Sequence, residues 1–189
     1  LVERALSAAN LLFKIVLIGD GGVGKTSLRR RFMGEAFTTK YIETIGADFA
    51  VKELTASNGT QIRFQIWDLA GQPRFRAVRE GFYKGSRGAL LVYDVTKGET
   101  YNNVPIWAEE LRKNVAVMPP IVLVGNKIDL RVGEGVYVTP DYGEMMREYL
   151  ERRYEVPVYF IETSAKTGEN IQKAFYMLAE MILTQRRLA

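Results

Sequence analysis

The stretch GDGGVGKTS, Gly19 to Ser27, decides the fold. It follows the apolar run LLFKIVLIG and precedes a helical pattern over Lys25–Gly34. Gly19, Gly24, Lys25 and Thr26 fill the spacing Gly-x-x-x-x-Gly-Lys-Ser/Thr. A glycine-rich turn lets consecutive backbone N–H groups, here those of Gly21, Gly22, Val23 and Gly24, converge without Cβ collisions into a cradle for anionic oxygens. The helix opening at Lys25–Ser27 adds the positive end of its dipole. Lys25 offers a point charge to terminal phosphates, and the Thr26 hydroxyl can ligate Mg²⁺. The plain alternative is a glycine-rich turn with an incidental lysine, and its position between a buried strand and a helix argues against that.

Similar runs recur downstream: TQIRFQIWD, GALLVYDV, PIVLVGNK and VYFIETS. LLFKIVLIG, GALLVYDV and PIVLVGNK are apolar nearly throughout, as strands covered on both faces must be. ADFAVKELTA and TQIRFQIWD alternate instead, and Asn58-Gly59 between them is a hairpin signal. Helical patterns fall at Glu99–Val115, Pro140–Tyr154 and Glu169–Arg187. The expectation is an α/β fold: a six-stranded, mostly parallel sheet with one antiparallel edge strand and helices on both faces. Residues 11–189 form its single domain. Residues 1–10, LVERALSAAN, separate Leu1, Val2, Ala5, Leu6, Ala8 and Ala9 from Glu3, Arg4, Ser7 and Asn10 on a helical wheel. This amphipathic extension reads as a tail or a helix packed on the body, with a membrane-surface or partner helix as the alternative.

Composition narrows the chemistry. The chain of 189 residues has a net charge of +4, no cysteine and no histidine. Disulfides, thiolate metal sites, a thiol nucleophile and a histidine base are therefore excluded. The basic run Arg29-Arg30-Arg31 reads as a solvated helix face, and no groove-reading motif accompanies it, so nucleic acid is not an expected partner. No apolar run reaches the roughly 18 residues that span a bilayer. No signal peptide pattern opens the chain, so a soluble, cytoplasmic monomer is the expectation.

The stretch NKID, Asn126 to Asp129, follows the strand pattern IVLVG. A carboxylate can accept both adjacent donors of guanine, its ring N–H and exocyclic amine. Adenine lacks that pair and would leave Asp129 unpaired at a cost. The stem of Lys127 can lie along a base plane, and Asn126 can tie the loop to its neighbours.

Together these motifs resemble the Ras superfamily of small GTPases, most nearly its Rab branch. The resemblance covers residues 11 to 187 through the phosphate loop, YIETIGADF, WDLAGQPRF, GNKID and ETSAK; IGADF, FRAVREGFYKG and LLVYDVT are its Rab-like stretches. It implies Mg²⁺ and GTP or GDP as ligands and slow GTP hydrolysis, with a role in membrane trafficking or signalling. By resemblance, Thr44 joins Thr26 on the metal, and Asp68 holds it through water. Gly71 reads the γ-phosphate, and Gln72 orients the attacking water beside Lys25. Phe37 packs on the guanine, and Tyr41 folds over the phosphates. Ser164 supports the base loop, the Ala165 N–H faces the guanine carbonyl, and Lys166 flanks it. Exchange factors, GTPase-activating proteins and effectors are the implied partners, at switch I (37–48) and switch II (68–84).

Two departures stand out. Leu69 and Pro73 occupy positions where the Rab-like pattern WDTAGQE has threonine and glutamate, which puts glutamate-dependent contacts with exchange factors in question. The sequence ends QRRLA without a lipidation cysteine, so a removed tail and a member working without a lipid both stay open, as does peripheral membrane contact. Two other readings are a nucleotide-bound interaction module without hydrolysis and an ATP-dependent P-loop kinase. Thr26, Thr44, Asp68 and Gln72 speak against the first, Asp129 and ETSAK against the second.

Overall fold

A computed structural model describes residues 11–39 and 43–188, so the 1–10 extension and Tyr41 lie outside the described residues. Six strands form one sheet: β1 (Leu11–Ile18), β2 (Ala47–Thr55), β3 (Gln61–Leu69), β4 (Gly88–Asp94), β5 (Ile121–Asn126) and β6 (Val158–Thr163). Their order is β2-β3-β1-β4-β5-β6, and only the β2–β3 pair is antiparallel. The hairpin signal is borne out. Gly59, at φ 82°, donates to the Ala56 carbonyl at 2.9 Å and takes the left-handed backbone that glycine tolerates.

The helices are α1 (Lys25–Phe32), α2 (Arg76–Tyr83), α3 (Gly98–Asn102), α4 (Val104–Asn114), α5 (Pro140–Tyr154) and α6 (Ile171–Leu188). They cover two separate cores, because alternate strand residues point to opposite faces. Phe13, Ile15 and Leu17 meet α1 and α6 on one face, while Val16 and Ile18 meet α2, α4 and α5 on the other. This two-sided burial is why β1, β4 and β5 read as unbroken apolar runs. On the first face the rings of Phe32 and Phe175 stack at 3.9 Å with 4° between planes, locking α1 to α6.

Four expectations need correction. The helix expected over Glu99–Val115 is two helices broken at Asn103, because Pro105 has no N–H to continue the i→i−4 ladder and is accommodated in the first turn of a new helix. The first helix ends at Phe32 rather than Gly34, since Gly34 turns left-handed at φ 92°. The last begins at Ile171, because Asn170 sits at φ 58°. Arg29 does not lie on a solvated face: it is buried and pairs with Asp48 at 2.5 Å. Asp48 lies opposite Asp68 in the β2–β3 register, so Arg29 offsets the repulsion between two facing carboxylates.

Candidate nucleotide-binding site

A cleft of about 400 Å³ opens beyond the C-terminal ends of β1, β5 and β6. That is where ligands settle in open α/β sheets, next to the strand at which the chain order reverses. Three loops build it.

The first is the phosphate loop. The Lys25 ammonium folds back on its carbonyls, donating to Gly19 at 2.7 Å and Asp20 at 2.8 Å. Burial pushes its pKa down to about 8, against the pull of Asp68 and Asp20. Gly24 sits at φ 103°, and a Cβ there would fall 2.3 Å from Asn126 Nδ2, so the loop closes only around glycine.

The second is the base loop. Asn126 Nδ2 donates to the Val23 carbonyl at 2.9 Å, while its Oδ1 accepts from the Thr163 hydroxyl at 3.0 Å and the Ala165 N–H at 3.3 Å. Lys127 takes a left-handed backbone at φ 71°, which for a side-chain-bearing residue costs about 1 kcal/mol or more. Its ammonium compensates by bridging Asp94 at 2.7 Å and the Gly22 carbonyl at 2.6 Å. The Ser164 hydroxyl donates to Asp129 Oδ1 at 2.5 Å, fixing the carboxylate at the cleft.

The third part comes from the segments flanking β2 and β3. The Thr26 hydroxyl lies 3.0 Å from that of Thr44 and donates to Asp68 Oδ2. Asp68 is fully buried, its Oδ1 has no hydrogen-bond partner, and burial raises its pKa while Lys25 and Thr26 oppose the rise. Two hydroxyls and an orphaned carboxylate oxygen are hard donors that fit Mg²⁺. Among the described residues no group of three or more acidic side chains is placed to hold a metal ion, so these donors would fill only part of a coordination shell. Gly71 presses on the phosphate loop: a Cβ there would come within 2.4 Å of the Asp20 and Gly21 backbone. Gln72 sits at φ −75°, ψ 141°, the extended backbone that Pro73 imposes, and its amide lies over Gly21.

Of the residues expected here, Gly21, Gly22, Gly24, Ser27, Phe37 and Lys166 also line the cleft. Val23, Asp68 and Ser164 stand behind its wall, fully buried. Arg30, Thr38, Thr39 and Leu130 line it without having been anticipated. Arg30 pairs with Glu35 at 2.7 Å, and spacing alone did not mark it. Leu69, the first departure, is fully buried in the core beside α2, where an apolar side chain is accommodated.

The Ras family model matches residues 14–184. The chain belongs to the Ras family. Curated relatives place this small GTPase in the Rab branch. It is 39% identical to the Ras-related protein RABE1e of Arabidopsis thaliana over 95% of this chain and 78% of that one. It is 38% identical to Ras-related protein Rab-8B of Homo sapiens, covering 92% and 80% of the two chains. It is 40% identical to Ras-related protein SEC4 of Saccharomyces cerevisiae, covering 90% and 75%. GTP hydrolysis is the activity expected of a small GTPase of this family.

One further feature of the GTPase surface escaped the sequence reading. Phe49, Trp67 and Phe82 form a ladder of rings, with centroids 4.8 and 5.1 Å apart. It joins β2 and β3 to α2, and Phe49 is exposed. Among the described residues no helix is long and apolar enough to cross a membrane.

Proposed function

We propose that this GTPase is a switch that binds Mg²⁺ with GTP or GDP in the cleft, hydrolyses GTP slowly, and changes its partners through residues 37–48 and 68–84. The observation that carries the reading is the direct bonding of the base loop to the phosphate loop, Asn126 to Val23 and Lys127 to Gly22, which makes one cleft of two motifs. Asp129 accepts the two donors of guanine, the stem of Lys127 and the ring of Phe37 flank the base, and the Ala165 N–H meets its carbonyl. Tyr41 closes over the phosphates, by the resemblance. Backbone N–H groups of residues 21–26 and the Lys25 ammonium hold the phosphates, which requires Lys25 to release the two carbonyls it now caps.

Mg²⁺, when bound, neutralises phosphate charge; Thr26 and Thr44 would ligate it, and Asp68 would hold it through water. Gly71 donates its N–H to the γ-phosphate, and Gln72 orients the attacking water. No arginine projects from the glycine-rich turn itself, and an arginine finger is worth about 10³- to 10⁵-fold in such enzymes, so the intrinsic reaction is slow and an activating protein resets the switch. The exposed edge of the Phe49–Trp67–Phe82 ladder, between the two segments, is the surface effectors and exchange factors read. The carrying role is in trafficking or signalling, as for Rab-branch proteins generally.

The test combines equilibrium binding of fluorescent GDP, GTP and ATP with single-turnover hydrolysis. Tight guanine binding, at least about 100-fold weaker ATP binding and slow Mg²⁺-dependent phosphate release support the reading. Equal ATP binding overturns it.

A further inference from the structure

Behind switch II lies a buried polar cluster that none of the nucleotide motifs requires. Arg79, on α2, is 3% exposed. Its Nε and Nη2 grip both oxygens of Glu110 on α4, at 2.6 and 3.0 Å. Its remaining arm, Nη1, donates to the carbonyls of Gln72 at 2.9 Å and Ala70 at 3.2 Å. The guanidinium lies 4.4 Å from the centre of the Trp107 ring, and the Tyr83 hydroxyl donates to Glu110 at 2.8 Å. The cluster continues to the phosphate loop, where Trp107 Nε1 and Asn103 Nδ2 donate to the two oxygens of Asp20 at 2.6 and 2.8 Å.

Burying an ion pair brings little net stability compared with apolar packing, because desolvation consumes most of the attraction. What it brings is geometry. The planar fork reaches Glu110 on one side and two backbone carbonyls on the other, which a single ammonium cannot span. Those carbonyls flank Gly71. Because a peptide unit is rigid and trans, pinning the Ala70 oxygen also fixes the direction of the Gly71 N–H, away from the guanidinium. Pinning the Gln72 oxygen fixes the backbone from which the glutamine side chain leaves, with Pro73 bracing the other side.

We propose that Arg79 is a positioning residue for GTP hydrolysis, held by Glu110 and Trp107 and acting on the reaction through Gln72. The inference rests on the GTPase reading above. Residues 70–72 are thereby referenced to α4 as well as to the phosphate loop, so Gln72 does not have to find its pose after GTP binds.

Removing Arg79 alone would strand the Glu110 charge, so the test pairs Arg79→Ala with the triple variant Arg79→Met, Glu110→Leu, Tyr83→Phe, which leaves no buried charge behind. Single-turnover hydrolysis at saturating GTP, GDP affinity and thermal unfolding are measured for each, with and without Gln72→Leu. The triple variant is expected to hydrolyse GTP about 10-fold more slowly than wild type with GDP affinity within about 2-fold. In the Gln72→Leu background the same change costs less than about 3-fold, because the residue it acts through is gone. Arg79→Lys falls with the triple variant rather than with wild type. A triple variant as fast as wild type, or one that slows both backgrounds equally, overturns the inference while Gln72→Leu still reports on the site. A wild-type chain that does not hydrolyse GTP overturns the functional reading and this inference together.

Discussion

The two ends of the cleft are built differently. At the base end, Asn126 and Thr163 are almost fully buried, and Asn126 ties the end of β5 to the phosphate loop through Val23 and to the end of β6 and the loop after it through Thr163 and Ala165. At the switch end, Thr44 is half-buried and bonded to Thr26, and Glu43 meets Arg74 in an exposed ion pair of little energetic weight. The base end is closed by bonds among its own segments, whereas the switch end keeps Asp68 Oδ1 without a hydrogen-bond partner. On the proposed reading, the identity of the base and the state of the phosphate fall to regions that are bonded differently, so damage at the base end should abolish selection, and damage at the switch end should shift preference and rate.

The largest expected effect is at Asp129. Asp129→Asn should weaken guanine nucleotides by about 10⁴-fold and favour xanthine nucleotides, whose carbonyl replaces the guanine amine. Displacement titration with GDP and XDP measures it, and an unchanged preference means that Asp129 does not read the base. Thr26→Asn comes next. It should lower GTP affinity roughly 10- to 100-fold more than GDP affinity, because the lost hydroxyl matters most when the γ-phosphate shares the ion. Parallel losses for the two nucleotides would remove Thr26 from the metal. Gln72→Leu should slow intrinsic hydrolysis about 10-fold at constant GTP affinity, read as phosphate release in a single turnover. Hydrolysis at the wild-type rate would make Gln72 a turn residue. The smallest effect is at Pro73: Pro73→Glu releases the extended bias on Gln72 and should change the hydrolysis rate by about 3-fold without touching GDP affinity. An identical rate would show that the brace is redundant with Arg79.

The same inequality governed what could be read from residues alone. The base loop and the phosphate loop are contiguous motifs whose chemistry follows from spacing, and the strands announced themselves by apolar runs covered on both faces. The burial of Arg29 was not legible, because its partner Asp48 lies 19 positions away and nothing local marks a basic run as inward-facing. The Arg79–Glu110 pair is separated by 31 positions and comes together only when α2 and α4 pack on the same side of the sheet. The break at Asn103 was legible in principle, since Pro105 stands in the sequence, but the apolar period on either side masked it.

The direction in which the chain leaves its own body has a practical meaning. Leu11 starts β1 beside Ile62, which itself pairs with Leu54 near the Asn58-Gly59 turn, so the described chain enters at the pole of the sheet away from the cleft. Helix α6 starts near Ser164 and Ala165 and runs 18 residues, about 27 Å, back toward the same pole, where Glu180 meets the Ser57 N–H at 2.7 Å. Both ends of the described body therefore lie on one side, opposite the cleft. A dye, a fused reporter or a solid support attached there acts as a tether that leaves the mouth of the cleft facing outward, free to exchange its contents.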